Sequence, residues 1–163
     1  MSVNKYQPHV LVLPEDDANR QLAESFHLQV VGYRLRQIQV LEEAGGWTKL
    51  LERFKKDQVV GMNRYPQRFM VLLIDLDGHL ERLSQAKAEI PNDLTERVFI
   101  LGALTRPEAL KQAGLGSPEE IGLAMAKDCR EGTDTIWGHD LLRHNVPELE
   151  RLLPLVRPIL FPS

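Results

Sequence analysis

Solid apolar runs alternate along this chain with stretches in which apolar residues recur every three or four positions. Val10-Leu11-Val12-Leu13 is the first run, closed by Pro14 and three acids, and it reads as a buried strand. Ala18, Leu22 and Phe26 follow at four-residue spacing, the inner face of a helix that Asp16 or Asp17 can cap. Arg36-Gln37-Ile38-Gln39-Val40 alternates with period two and predicts a half-exposed strand. After a break at Gly45-Gly46, Trp47, Leu50, Leu51 and Phe54 mark an amphipathic helix. Residues 57–67, with Gly61, Asn63 and Pro66, read as a loop. Phe69 to Ile74 is unbroken apolar sequence, as expected of a strand covered on both faces. Leu80, Leu83 and Ile90 suggest the next helix, and Val98 to Leu101 a fourth strand.

Downstream the pattern turns helical. Pro107 opens a short helix that Gly114 ends. Ser117-Pro118-Glu119-Glu120 is a capping box with proline at the first helical position, leading a helix through Ile121, Met125 and Cys129. From Thr135 onward the reading is helical. Asn145 stands where a cap would, and Leu149, Leu152, Leu153 and Val156 form a stripe that Pro154 should bend or break.

Strand–helix repeated four times predicts an α/β domain: a Rossmann-like, mostly parallel four-stranded sheet flanked by helices, with extra C-terminal helices. One domain is expected over residues 1–163. Its core covers about residues 9–105, or to 116 on a longer count, and a helical extension covers 117–163. Ligands of such sheets sit beyond the carboxyl ends of the strands, where strand order reverses. With a two-one-three-four order, the acids that end strand one would meet those that end strand three.

Composition narrows the function little. A formal net charge of -3 gives no broad basic surface, although bound metal lets a mildly acidic protein act on nucleic acid. The single cysteine, Cys129, excludes an internal disulfide and a multi-cysteine zinc site, and it reads as a small buried helix residue. The stretch MSVNKYQPHVLVLPEDD lacks the apolar segment of a secretory signal, and no window reaches the length of a membrane span. A cytoplasmic protein with no membrane partner is the expectation.

The chemistry rests on carboxylates. Glu15, Asp16 and Asp17 follow strand one; Asp75 and Asp77 follow strand three, with Gly78 allowing a sharp turn. Such acids brought together would repel and raise one another's pKa, a cost that a divalent cation removes. Asp75 and Asp77 also read as simple turn formers ahead of a helix.

VLVLPEDD before a helix, with MVLLIDLDG before another, resembles the Toprim domain of topoisomerases, primases and OLD-type nucleases. The resemblance covers roughly residues 9–105. It implies Glu15 as a metal ligand or general acid/base and Asp75 and Asp77 as ligands of Mg²⁺ or Mn²⁺; beside them, Asp17 reads from its position as a further metal ligand. Glu15, Asp75 and Asp77 would then be catalytic, and the activity phosphodiester hydrolysis or transfer on DNA or RNA. By analogy it also implies a defence or mobile-element accessory role and a partner such as an ATPase. One departure is Asp16, which stands where that family usually has glycine.

Two alternatives stay open. EDDANRQLA and VLLIDLDG also resemble a response-regulator receiver, with Asp75 the phosphoacceptor and Thr105 the switch hydroxyl; the lysine of a fifth strand is missing. A non-catalytic α/β interaction module is the other. His139 and His144 are five apart, which does not align two ligands on one helix face, and they read as structural. Gly45-Gly46 reads as a loop, or as a phosphate cradle ahead of a helix. Arg34, Arg36, Arg64 and Arg68 could line a nucleic-acid surface or simply be solvated.

Overall fold

A computed structural model describes residues 2–162. Its centre is a four-stranded parallel sheet in the order β2-β1-β3-β4, made of β1 (His9–Pro14), β2 (Ile38–Val40), β3 (Arg68–Asp75) and β4 (Val98–Ala103). The predicted fold class is the observed one. Each apolar run faces both ways because successive side chains leave opposite faces of a strand. Val10, Val12, Val71, Leu73, Phe99 and Leu101 pack toward α1 (Asp17–His27), α6 (Pro118–Glu131) and α7 (Val146–Leu160). Leu11, Leu13, Met70, Leu72, Ile74 and Ile100 form the core on the other face, with α2 (Trp47–Arg53), α3 (Val59–Arg64) and α4 (Glu81–Ala88). A short α5 (Pro107–Gln112) follows β4.

The layer of α1 and α6 is tight. A Cβ on Gly122 would stand 2.2 Å from the Leu22 carbonyl oxygen, so only glycine permits this approach. Gly122→Ala is expected to lower stability by about 1–3 kcal/mol, as overpacking does. An unchanged urea midpoint would contradict this reading of the helix contact.

Three local expectations are corrected. Residues 57–67 are mostly not a loop: α2 runs through a π-helical turn, Phe54–Gln58, into α3, because Phe54 and Met62 are fully buried and hold the segment on the sheet. Pro154 does not break α7, which is continuous from Val146 to Leu160. Pro154 and Pro158 are both exposed, so the carbonyls that lose an intrahelical donor can reach water. Residues 135–142 form turns rather than helix. Buried Asp128 draws them in, accepting bonds from the Thr133 hydroxyl at 2.6 Å and from the backbone N–H groups of Thr135, Ile136 and Trp137 at 3.1, 2.8 and 3.3 Å.

The free edge of β4 is covered by side chains where a fifth strand could pair. Glu148 accepts the Ile100 N–H at 2.9 Å, and Asn145 accepts the Gly102 N–H at 3.0 Å while donating to the Gly102 carbonyl at 2.9 Å. Asn145 occupies the cap position of α7, but its side chain is spent on β4 instead of capping the helix. His144 bonds the Gly102 carbonyl and His139 accepts the Leu141 N–H, so both histidines serve the backbone. Cys129 is buried, and burial pushes its thiol up to about 12. Among the described residues no helix is long and apolar enough to cross a membrane.

Candidate metal centre

Neighbouring β1 and β3 end side by side, with Pro14 opposite Leu73. The Glu15 N–H continues the ladder, donating to the Leu73 carbonyl at 2.9 Å. From the other side, the N–H groups of Gly45 and Gly46 donate to the Glu15 carbonyl at 2.8 and 3.2 Å. This is the work of the Gly45-Gly46 loop: its amides hold Glu15 and are not left free for a phosphate. The positive φ angles of 91° and 151° explain the two glycines.

The fixed backbone aims the Glu15 carboxylate across to β3, where it accepts the Asp75 N–H at 2.7 Å. Asp16 caps α1 through one oxygen, which accepts from the Asn19 backbone and side-chain nitrogens at 2.9 and 3.0 Å. Glu15, Asp16 and Asp75 each bring a carboxylate oxygen within 4.8 Å of the others. Oxygens bound to one ion at 2.0–2.6 Å are at most about 4–5 Å apart, so the set fits a hard divalent cation.

Two of the expected ligands stand outside this cluster. Asp17 lies at the start of α1 and is turned to its own helix, accepting from Gln21 at 2.6 Å. Asp77 has left-handed backbone, φ 48°, in the turn that Gly78 continues. That turn carries the exposed Asp77 side chain toward Arg106, 3.5 Å away. Asp77 stays tied to the site only through its N–H, donated to Asp75 at 2.9 Å. The one-residue spacing does not set two side chains on one point, because the strand has already ended.

Burial and like charge act together here. Glu15 is 6% exposed. Burial, then the charges of Asp16 and Asp75, raise its pKa from 4.5 to about 7 against the lowering effect of the Asp75 N–H and Arg82. Asp75 is raised as well, mainly by burial. Arg82 supplies the nearby positive charge. It donates to the Asp75 carbonyl at 3.0 Å and lies 5.2 Å from the Trp47 ring centre. Asp16 and Arg82 were not among the expected site residues. Asp16 had a signal, since it departs from the glycine of the resembled family; Arg82 had none.

A raised carboxyl pKa sets a sign. The folded state keeps a proton on Glu15 that the unfolded chain loses near pH 4.5. Its contribution to stability is therefore present below about pH 4.5 and is lost as pH rises through about 7. Without divalent ions the loss is expected to be about 3 kcal/mol. Buried His9 and half-buried His144, both with lowered pKa, act in the opposite sense. The readout is therefore the difference between wild type and Glu15→Gln in urea midpoint from pH 4 to 8. Parallel curves would contradict the burial of this proton.

Behind Asp75 lies a small cavity of about 20 Å³, lined by Asn19, Gly102, Thr105 and Trp137 among others. The Thr105 hydroxyl is buried without a hydrogen-bond partner among the described residues. No protein-family model, curated protein or solved structure matches the chain.

Proposed function

We propose that this protein is a Toprim-like enzyme that hydrolyses or transfers phosphodiesters in nucleic acid with Mg²⁺ or Mn²⁺ bound at Glu15, Asp16 and Asp75. The observation that carries the reading is the convergence of these three carboxylates at the carboxyl ends of β1 and β3. Residues of three kinds of neighbour serve it. The Gly45-Gly46 amides and the β1–β3 ladder fix Glu15. The Asp75 N–H orients its carboxylate. Arg82 places a cation beside Asp75 that can face a phosphate oxygen. When bound, a divalent ion would polarise the phosphate and ease deprotonation of water. Without an ion, burial keeps the Glu15 carboxyl protonated up to about pH 7, so binding the ion would release that proton. Mg²⁺ and Mn²⁺ suit the all-oxygen donor set. Asp77, joined to Arg106, is assigned to the turn and the rim of the site instead of the ion.

Plasmid DNA and a structured RNA, incubated with Mn²⁺ or Mg²⁺, test the activity. Cleavage that EDTA stops and Glu15→Gln abolishes is expected. Intact substrates under both ions would count against the reading.

One observation favours a second reading. The unpartnered Thr105 hydroxyl beyond β4, near Asp75, is the arrangement of a receiver that is phosphorylated on Asp75. No lysine from a fifth strand accompanies it, since the sheet has four strands. Acetyl phosphate followed by intact-mass measurement separates the two: a phosphate adduct lost in Asp75→Asn would replace the nuclease reading.

A further inference from the structure

We infer that the amino ends of the strands carry a second, cationic contact for the nucleic-acid backbone, built by Lys5, Arg64 and Arg68 around Tyr65. The identity of the polymer rests on the proposed function; the contact rests on its own geometry. The Lys5 ammonium and the guanidinium carbons of Arg64 and Arg68 lie 5.5, 5.8 and 4.8 Å from the centre of the Tyr65 ring. None of the three has a carboxylate partner among the described residues. In a protein of net charge -3, cations gathered without acids are a local exception.

Arg68 is held in a particular pose. Fully buried His9 bonds the Gln7 carbonyl through Nδ1 at 2.7 Å and receives the Arg68 Nε–H on Nε2 at 2.9 Å. That pair of bonds assigns a neutral ring with its proton on Nδ1. A neutral partner fixes the guanidinium without cancelling its charge. Gly61 makes room, since a Cβ there would stand 2.6 Å from Arg68 Nη1. The two terminal nitrogens of Arg68 have no protein acceptor among the described residues and form a fork suited to a phosphate. Arg97 sets the turn beneath, donating to the carbonyls of Met62, Tyr65 and Arg68 at 2.8, 3.2 and 2.9 Å. It adds charge and spends its donors on backbone.

Arg68 begins β3 and Asp75 ends it. Seven steps of about 3.3 Å separate them by roughly 23 Å through the buried strand, and a ligand that reaches both must run around the outside of the domain. One phosphate cannot touch both ends. A polyanion can, which favours a polymer over a free nucleotide as the ligand.

Fluorescence anisotropy in EDTA, with labelled single-stranded DNA and RNA of about 30 nucleotides, tests the contact apart from cleavage. Lys5→Glu with Arg64→Glu alters two exposed positions and leaves the His9–Arg68 bond intact. Binding is expected to weaken at least about tenfold, and the log–log salt slope to flatten by about 1.4 for two lost phosphate contacts. Lys127→Glu, a charge reversal at an exposed position of α6, should bind as wild type does. Three results would overturn the inference: no binding by wild type, equal affinity and slope in the double variant, or displacement of the probe by millimolar inorganic phosphate at constant ionic strength. Unchanged binding in the double variant beside metal-dependent cleavage lost in Glu15→Gln would sink this contact and leave the proposed function standing.

Discussion

Asp75→Asn is expected to abolish metal-dependent cleavage, by at least about a thousandfold, while the protein stays folded. The amide keeps an oxygen that can accept the Asp77 N–H, the one side-chain hydrogen bond Asp75 makes within the fold. What it removes is the charge that completes the trio with Glu15 and Asp16. Asp75→Ala should give the same loss of activity with an additional small cost in stability, because the turn at Asp77 and Gly78 then loses its acceptor. Asp77→Asn is the control. Its side chain faces Arg106, so activity should fall by no more than about tenfold. Equal, complete losses in Asp75→Asn and Asp77→Asn would mean that the ion recruits Asp77, against the geometry described.

The second large effect concerns folding. Asp128 is 2% exposed and gathers four donors, three of them backbone N–H groups of the segment that leads to Trp137. Asp128→Ala leaves those buried donors unpaired. It is expected to cost about 3–4 kcal/mol, which lowers the melting temperature of a domain this size by roughly 10 °C. Asp128→Asn, which keeps acceptor oxygen but loses charge, should cost about half as much. Thermal melts of the three proteins decide it. A melting temperature within about 2 °C of wild type for Asp128→Ala would show that the turn is held by Trp137 and Ile136 packing alone.

The sheet was legible because burial on both faces leaves a direct mark: the solid runs 10–13, 69–74 and 98–101 could be little else. The order two-one-three-four, under which the acids of β1 and β3 would meet, is the order of the sheet. The capping box at Ser117 and Glu120 was equally legible, since both halves of it are local. What escaped the sequence were contacts set by distant chain segments. Asn145 carries the residue type and position of a cap, yet β4 offers it a better-buried partner in Gly102. Residues 57–67 hold turn-forming types, yet Phe54 and Met62 outweigh them. At the site, the sequence pointed to Glu15, Asp17, Asp75 and Asp77; the structure gathers Glu15 and Asp75 with Asp16 and leaves Asp17 and Asp77 apart. Choosing Asp16 over Asp17 requires knowing which residue caps α1, and leaving out Asp77 requires its positive φ angle. Neither is written in spacing.

In the proposed function, Glu15, Asp16 and Asp75 together hold one divalent ion. Calorimetric titration with Mn²⁺ near pH 8, above the raised Glu15 pKa of about 7, counts that ion. One ion per chain in wild type, weakened at least about a hundredfold in Asp75→Asn and in Glu15→Gln but retained in Asp17→Asn, is the predicted result. Absence of Mn²⁺ binding in wild type, or binding that survives loss of both Glu15 and Asp75, would contradict it.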